Sequence, residues 1–241
     1  MKSIFKKTIL MGSLIMAIPA ISVAQDKLEA GIGVDVVSGY IWRGQDLGNV
    51  SIQPELSVSY KGFSLSAWGS IGVDKDDTKE IDLTLGYETG GFSISLIDYW
   101  TNDGSGFLHF GSRETSHVFE AQIGYDFGVV ALNWYTNFAG ADGVNKDGDR
   151  AYSSYVSATV PFTLAGLEWT AEIGATPWAT DFYNVSESPE CNGSNGFAVC
   201  DISLGAMKEI KITKSFSVPA FAKVTVNPRT EGAYFVFGLN F

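Results

Sequence analysis

The chain has 241 residues, 16 Lys and Arg against 27 Asp and Glu, a formal net charge of −11, 27 glycines, 7 prolines and 13% aromatics. No basic stripe is present to neutralise phosphates, which argues against a nucleic-acid partner. Past the first two dozen residues no apolar run reaches 18, which excludes helical membrane spans there.

At the N-terminus, Lys2, Lys6 and Lys7 precede an apolar run from Ile9 to Ile21, and Ser22-Val23-Ala24 forms a small-x-small site before Gln25. This predicts a cleaved secretory signal peptide over 1–24 and a single domain over 25–241. No cysteine sits at the cut, which argues against a lipoprotein. The leader carries three lysines and no acid, so its removal takes the charge to −14.

From there the chain alternates apolar and polar residues in twelve runs. They cover 28–42, 50–60, 63–74, 79–89, 92–102, 117–127, 129–139, 150–161, 167–178, 197–212, 215–227 and 232–241. In 81–88, Ile81, Leu83, Leu85 and Tyr87 oppose Asp82, Thr84, Gly86 and Glu88. In 119–126, Phe119, Ala121, Ile123 and Tyr125 oppose Glu120, Gln122, Gly124 and Asp126. The last run places Phe235, Phe237, Leu239 and Phe241 on one face. Its length and terminal aromatic fit a tilted transmembrane strand, and Phe237, Leu239 and Phe241 resemble the C-terminal signal by which outer-membrane barrels are handed to a barrel-assembly machinery.

Connections between runs sort into two kinds. Lys61-Gly62, 88–91, 126–128, 161–166 and 213–214 are mostly tight; 103–116, 140–149 and 179–196 are long and polar, while their alternates 75–78 and 228–231 are short. Five turns at one end and six loops at the other suit an even-stranded barrel with both termini on the short-turn side. The expected fold is therefore all-β: a closed antiparallel transmembrane barrel of about twelve strands, surrounded by outer-membrane lipid. Tyr40, Trp42, Tyr60, Phe63, Phe92, Trp100, Phe162 and Trp169 gather at strand ends, as interfacial girdles do. Four residues resist this scheme. Pro54 and Pro219 fall inside runs, and Asp98 and Lys208 land on the apolar face unless a bulge flips the register.

Cys191 and Cys200 are the only cysteines. In an exported chain this close pair predicts a disulfide, worth roughly 2.5–3 kcal/mol in the chain-entropy model.

Ser38-Gly-Tyr-Ile-Trp-Arg-Gly44, followed by Ile52-Gln-Pro-Glu-Leu56, Gly62-Phe-Ser-Leu-Ser-Ala-Trp-Gly-Ser70 and Glu80-Ile-Asp-Leu-Thr-Leu-Gly-Tyr87, resembles the TorF-type porin family. The resemblance covers about 38–87 well and the rest only as a pattern of strands. It implies an outer-membrane barrel with a porin role, and brings no substrate and no catalytic residue.

The polar faces assign Asp35, Glu55, Asp82, Glu120, Glu168, Glu172 and Glu209 to the inner wall, with Arg43, Lys211 and Lys223 against them. An acidic lumen attracts cations. The expected function is passive diffusion of small solutes, cations preferred, with no cofactor and no metal. Trp68, Tyr99, Tyr135, Tyr155, Met207 and Phe221 also point inward. They leave open a plugged barrel that works through its outer loops, since twelve strands lie between filled and open barrel sizes. Barrel enzymes need a histidine beside a carboxylate or nucleophile. Only His109 and His117 exist, and His117 shares the parity of Phe119, away from Glu120; no catalysis is expected. Acidic stretches 74–77 and 145–149 read as solvated loop tips rather than calcium loops. Oligomeric state is not legible.

Overall fold

The computed structural model describes residues 27–75, 77, 79–213 and 216–241; the expected signal peptide lies outside them. Among these residues the chain forms a closed, antiparallel, twelve-stranded β-barrel with no helix. Its wall starts with β1 (Glu29–Val37). Two short strands, β2 (Tyr40–Trp42) and β3 (Gln45–Gly48), then form a separate two-stranded sheet. The wall resumes with β4 (Ser51–Tyr60), β5 (Phe63–Gly72), β6 (Lys79–Thr89), β7 (Phe92–Thr101), β8 (His117–Asp126) and β9 (Ala131–Gly140). It is completed by β10 (Ser154–Leu164), β11 (Leu167–Thr176), β12 (Ala198–Lys211), β13 (Ser217–Asn227) and β14 (Gly232–Asn240).

Each wall strand pairs with its sequence neighbour, β4 returns to β1, and β1 closes on β14. That closing seam is short. Three register pairs join β1 to β14, Asp35↔Asn240, Val36↔Leu239 and Val37↔Gly238, whereas β6 and β7 share ten. Beyond the last pair, the amides and carbonyls of Val34 and Phe241 exchange bonds of 2.9 and 3.0 Å.

The partition between faces is the reverse of a soluble protein's. Leu56, Leu65, Leu85, Leu96, Ile123, Ile173, Ile202, Leu204, Val224 and Phe235 are all exposed on the outside. Inside are buried Asp35, Gln53, Asp82, Glu120, Asn137, Thr159, Asp201, Ser203 and Thr225. So large a continuous apolar belt marks a surface built for a nonaqueous partner, and a twelve-stranded barrel of this kind fits an outer-membrane protein. At the short-turn end an aromatic ring is present, with Phe63 on Tyr87 at 4.6 Å, Tyr125 on Phe127 at 4.6 Å and Phe162 stacked on Trp169 at 6.1 Å.

The two-residue turn Lys61-Gly62 has positive φ at both positions, 52° and 85°. This is the mirror-image turn whose twist matches the flanking strands. Ala165-Gly166 repeats it, with φ of 54° and 74°. The strand β10 therefore runs through Pro161 to Leu164, where a turn over 161–166 was expected.

Each of the three prolines in the wall strands sits at a break in a ladder. Pro54 pairs with Val34 of β1, and the β4–β5 pairing skips from Ile52↔Ile71 to Glu55↔Trp68, leaving Pro54 unpaired on its other side. Pro219 lies one residue before the first β13–β14 pair, Ala220↔Leu239, and Pro161 lies beyond the last β9–β10 pair, Thr159↔Ala131. A gap inside the β4–β5 ladder for Pro54, and strand stagger for Pro219 and Pro161, thus supply the free edge that proline needs.

Asp98 and Lys208 stay on the outer face. No bulge flips either register, since Asp98 opposes Leu83 and Phe119, and Lys208 opposes Ala220. Lys208 is exposed near the short-turn rim, where a long stem lets its ammonium reach water.

Candidate functional site

The first expected strand, 28–42, does not continue up the wall. At Ser38-Gly39 the chain leaves it and turns inward, so Tyr40, Ile41, Trp42 and Arg43 are 3%, 5%, 8% and 8% exposed. Tyr40 and Trp42 therefore belong to the lumen and not to a girdle, and Arg43 is carried on a plug and not on the wall. The hairpin tip, Arg43-Gly44, has φ of 50° and 76°, the same turn as Lys61-Gly62. Trp42 pairs with Gln45 across it. Gly44 packs directly on the backbone of Cys200 in β12, where any Cβ would run into the Cys200 carbonyl.

Around this tip an aromatic knot fills the long-loop half of the bore. Its buried members are Tyr40, Trp42, Trp68, Tyr135, Tyr155, Tyr183 and Cys200, with Tyr99 and Phe182 packed against them. Arg43 donates from Nη1 to Glu120 Oε2 at 2.5 Å and from Nη2 to Glu120 Oε1 at 2.8 Å, a bidentate buried pair. It also donates to the Tyr183 hydroxyl. Its guanidinium carbon lies 4.1 Å from the centroid of Tyr135, 4.3 Å from that of Trp42 and 4.8 Å from that of Tyr155. Tyr99 donates to Glu120 Oε1 at 2.9 Å. Burial opposes the charge on Arg43, but the Glu120 carboxylate, with Tyr183 and Tyr99, outweighs it and holds the guanidinium above its ordinary pKa.

The loop 177–197 supplies the other half of the plug. Tyr183 and Asn184 are fully buried. Asn227 at the end of β13 ties both parts, donating to the Gly44 carbonyl at 3.0 Å and to Asn184 Oδ1 at 3.1 Å. Gln45 Oε1 accepts from the Val185 amide at 3.3 Å, and Arg229 donates to the Gly193 carbonyl at 2.8 Å. A second cluster lies beneath. Ile41 of the hairpin packs with Val37 of β1, Phe221 of β13 and Val236 of β14, with Met207 and Tyr234 at its edge.

The ten residues expected to line a pore are distributed by depth. Asp35, Asp82 and Glu120 are buried beside the plug, at 1%, 6% and 0% exposure. Glu172 accepts from the Tyr155 hydroxyl at 2.9 Å, and Lys223 acts electrostatically on both Glu172 and Asp201. Glu55 lies half-buried at mid-depth, opposite Trp68. Glu168, Glu209 and Lys211 are exposed around the short-turn mouth. The wall between is lined by small polar groups, Ser57, Ser59, Ser64, Ser66 and Ser93, all half-buried. The lumen is therefore a hydrophilic vestibule, accessible from the short-turn end and closed at the long-loop end. Asp35, Asp82 and Asp201 each keep one buried carboxylate oxygen without a protein partner.

Cys191 and Cys200 are free thiols, so the expected disulfide is not formed. Cys200 faces inward into the knot, with Sγ 3.8 Å from the Gly174 carbonyl. Cys191 lies in the loop where its amide bonds the Ser188 carbonyl at 3.0 Å.

His117 faces outward as its parity required, and meets Asp98, a partner that sequence reasoning missed. Nδ1 lies 2.8 Å from Asp98 Oδ1, and Nε2 lies 2.7 Å from the Phe107 carbonyl. Both ring nitrogens are engaged, neither by a hydroxyl. His109 Nε2 lies 2.9 Å from the backbone carbonyl of Glu114. Phe237, Leu239 and Phe241 are exposed on the outer face of the closing strand. Asn49 reaches Asp74 and Asp77 with its side-chain amide, at 3.4 and 3.3 Å.

No protein-family model matches this chain, and no curated protein matches its sequence.

Proposed function

We propose that this protein is an outer-membrane channel of porin type, preferring small cations, whose outer mouth is shut in the conformation described. The observation that carries this reading is the pairing of an apolar outer belt with an acidic, serine-lined vestibule open at one end. On this reading the short turns face the periplasm and the long loops the exterior. The carboxylates of Asp35, Asp82 and Asp201 supply negative potential along the path, and Lys223 only partly offsets it. The segment 38–87 resembles TorF-type porins, which points the same way.

The gate is the β2–β3 hairpin with Tyr183. Arg43 and Glu120 fasten it, so breaking that pair should open the bore. Planar-bilayer recordings in asymmetric KCl compare the mature chain with Arg43→Ala. Rare or small steps in the parent, frequent larger steps in the variant and a cation-favouring reversal potential in both are expected. A folded variant with no steps would defeat the channel reading. It would favour the second reading, a permanently plugged barrel acting through its outer loops, which the completeness of the aromatic knot supports.

A further inference from the structure

The loop 102–116 does not fold over the mouth. It lies down on the outside of the wall. Its Phe107 ring meets Trp100 edge-on at 5.6 Å and His117 at 5.4 Å, while Phe110 stacks on His117 at 4.4 Å and approaches Phe119 at 6.5 Å. Trp100, His117 and Phe119 are outward-facing residues of β7 and β8, as their register with Ile81 and Asp98 requires. The loop is also well built. The Trp100 indole donates to the Ser105 carbonyl at 3.3 Å, Ser105 bonds Ser116, Ser116 bonds Asp103, and Thr115 donates to the His109 carbonyl at 2.6 Å. Arg150, from the neighbouring loop, holds the Ser112 carbonyl.

This packing covers the His117–Asp98 pair, with His117 fully buried and the Asp98 side chain 16% exposed. A carboxylate on a hydrocarbon-facing wall is costly unless paired and covered. The cover itself then turns apolar side chains outward: Leu108 is 83% exposed and the free face of Phe110 leaves it 58% exposed. Phe110, stacked on His117 and beside Phe119, continues the apolar belt of β7 and β8 past its last rung, and Leu108 lies two residues before it in the same loop. A loop in water gains nothing by presenting these groups, whereas aromatic and aliphatic tips at a bilayer boundary are stabilised by burial in acyl chains.

From this we infer that loop 102–116 is a membrane-docking element: Leu108 and Phe110 enter the acyl region of the outer leaflet, with the His117–Asp98 pair as the covered polar joint at its root. The inference rests on the outer-membrane reading above. It is independent of whether the bore conducts.

The test uses the full mature barrel, with Cys191→Ser and Cys200→Ser, reconstituted in phosphatidylcholine–phosphatidylglycerol vesicles. An NBD fluorophore is placed at Leu108→Cys, at the wall position Ile123→Cys, or at the loop tip Asp147→Cys. Quenching is read with doxyl-labelled lipid and with iodide. The expected result is lipid quenching at 108 at least threefold above that at 147 and close to that at 123, with iodide ranking the sites in reverse. Iodide-accessible 108 beside lipid-quenched 123 overturns the docking element and leaves the membrane barrel standing. Iodide-accessible 123 defeats the membrane reading itself. Protection of 108 from both quenchers overturns the lipid assignment in favour of a second copy of the chain.

Discussion

Arg43 survives burial because every face of its guanidinium is answered. Two parallel bonds reach Glu120, a third reaches Tyr183, and aromatic rings pack on it. Taking a charge out of water costs several kcal/mol, which only such complete pairing offsets. The consequence is asymmetric. Arg43→Met leaves Glu120 buried and alone, with Tyr99 as its remaining strong donor. It should cost the closed conformation about 3–5 kcal/mol. Arg43→Met combined with Glu120→Gln should recover most of that, because no orphan charge remains. Urea titration of the detergent-folded barrel, followed by tryptophan fluorescence, measures both. A double variant as weak as the single would mean that packing, and not charge, dominates here.

At the scale of elements, the hairpin β2–β3 obeys the same turn rule as the hairpins of the wall. Gly44 combines a left-handed φ of 76° with contact against the Cys200 backbone. Gly44→Ala should therefore destabilise the plug by roughly 2 kcal/mol or more, through backbone strain and displacement of the tip from β12. Closed-state stability, and the iodide accessibility of Trp42, report it; unchanged values would place the tip away from β12. Most wall strands were legible in the sequence to within two residues at each end, because a period of two between turn signals is a local property; β10, expected over 150–161 and found at Ser154–Leu164, is shifted by three to four. The run 79–89 matches β6 at both ends. The hairpin was not legible as a plug. Tyr40-Ile41-Trp42 continues the alternation of β1, so nothing local distinguishes a strand that climbs the wall from one that turns inside it. The available hint was Arg43-Gly44, directly after the expected run 28–42, which repeats the X-Gly pair of the tight hairpin turn Lys61-Gly62. Tyr183 and Asn184 gave no signal, since their burial depends on partners as distant as Asn227. The Asp98–His117 contact was half visible. Parity put both residues outside, and only the 2.8 Å bond shows why that is tolerable.

Over the whole molecule, the inverted partition sets which substitutions matter. Leu204 is exposed on the outer face at mid-strand, between Ala171 and Val224. Leu204→Lys should cost about 2–4 kcal/mol in a bilayer and Leu204→Ile close to nothing, read by unfolding in lipid vesicles. A soluble barrel would tolerate the lysine. Leu83 is a poorer choice for this measurement because Asp98 is its register partner and would soften the added charge.

Ile41 gives the closed state a further property. It shares one buried cluster with Val37 on β1, Val236 on β14 and Phe221 on β13, so a plug residue helps brace, from within, the first and last strands of the wall. Those strands share only three register pairs. Withdrawing the hairpin therefore does two things at once: it clears the bore and removes the inner splint from the thinnest joint of the cylinder. On the channel proposal, gating and mechanical integrity are coupled, and a mutation that props the plug open should let deuterium into the β1–β14 amides before those of any other pair of strands.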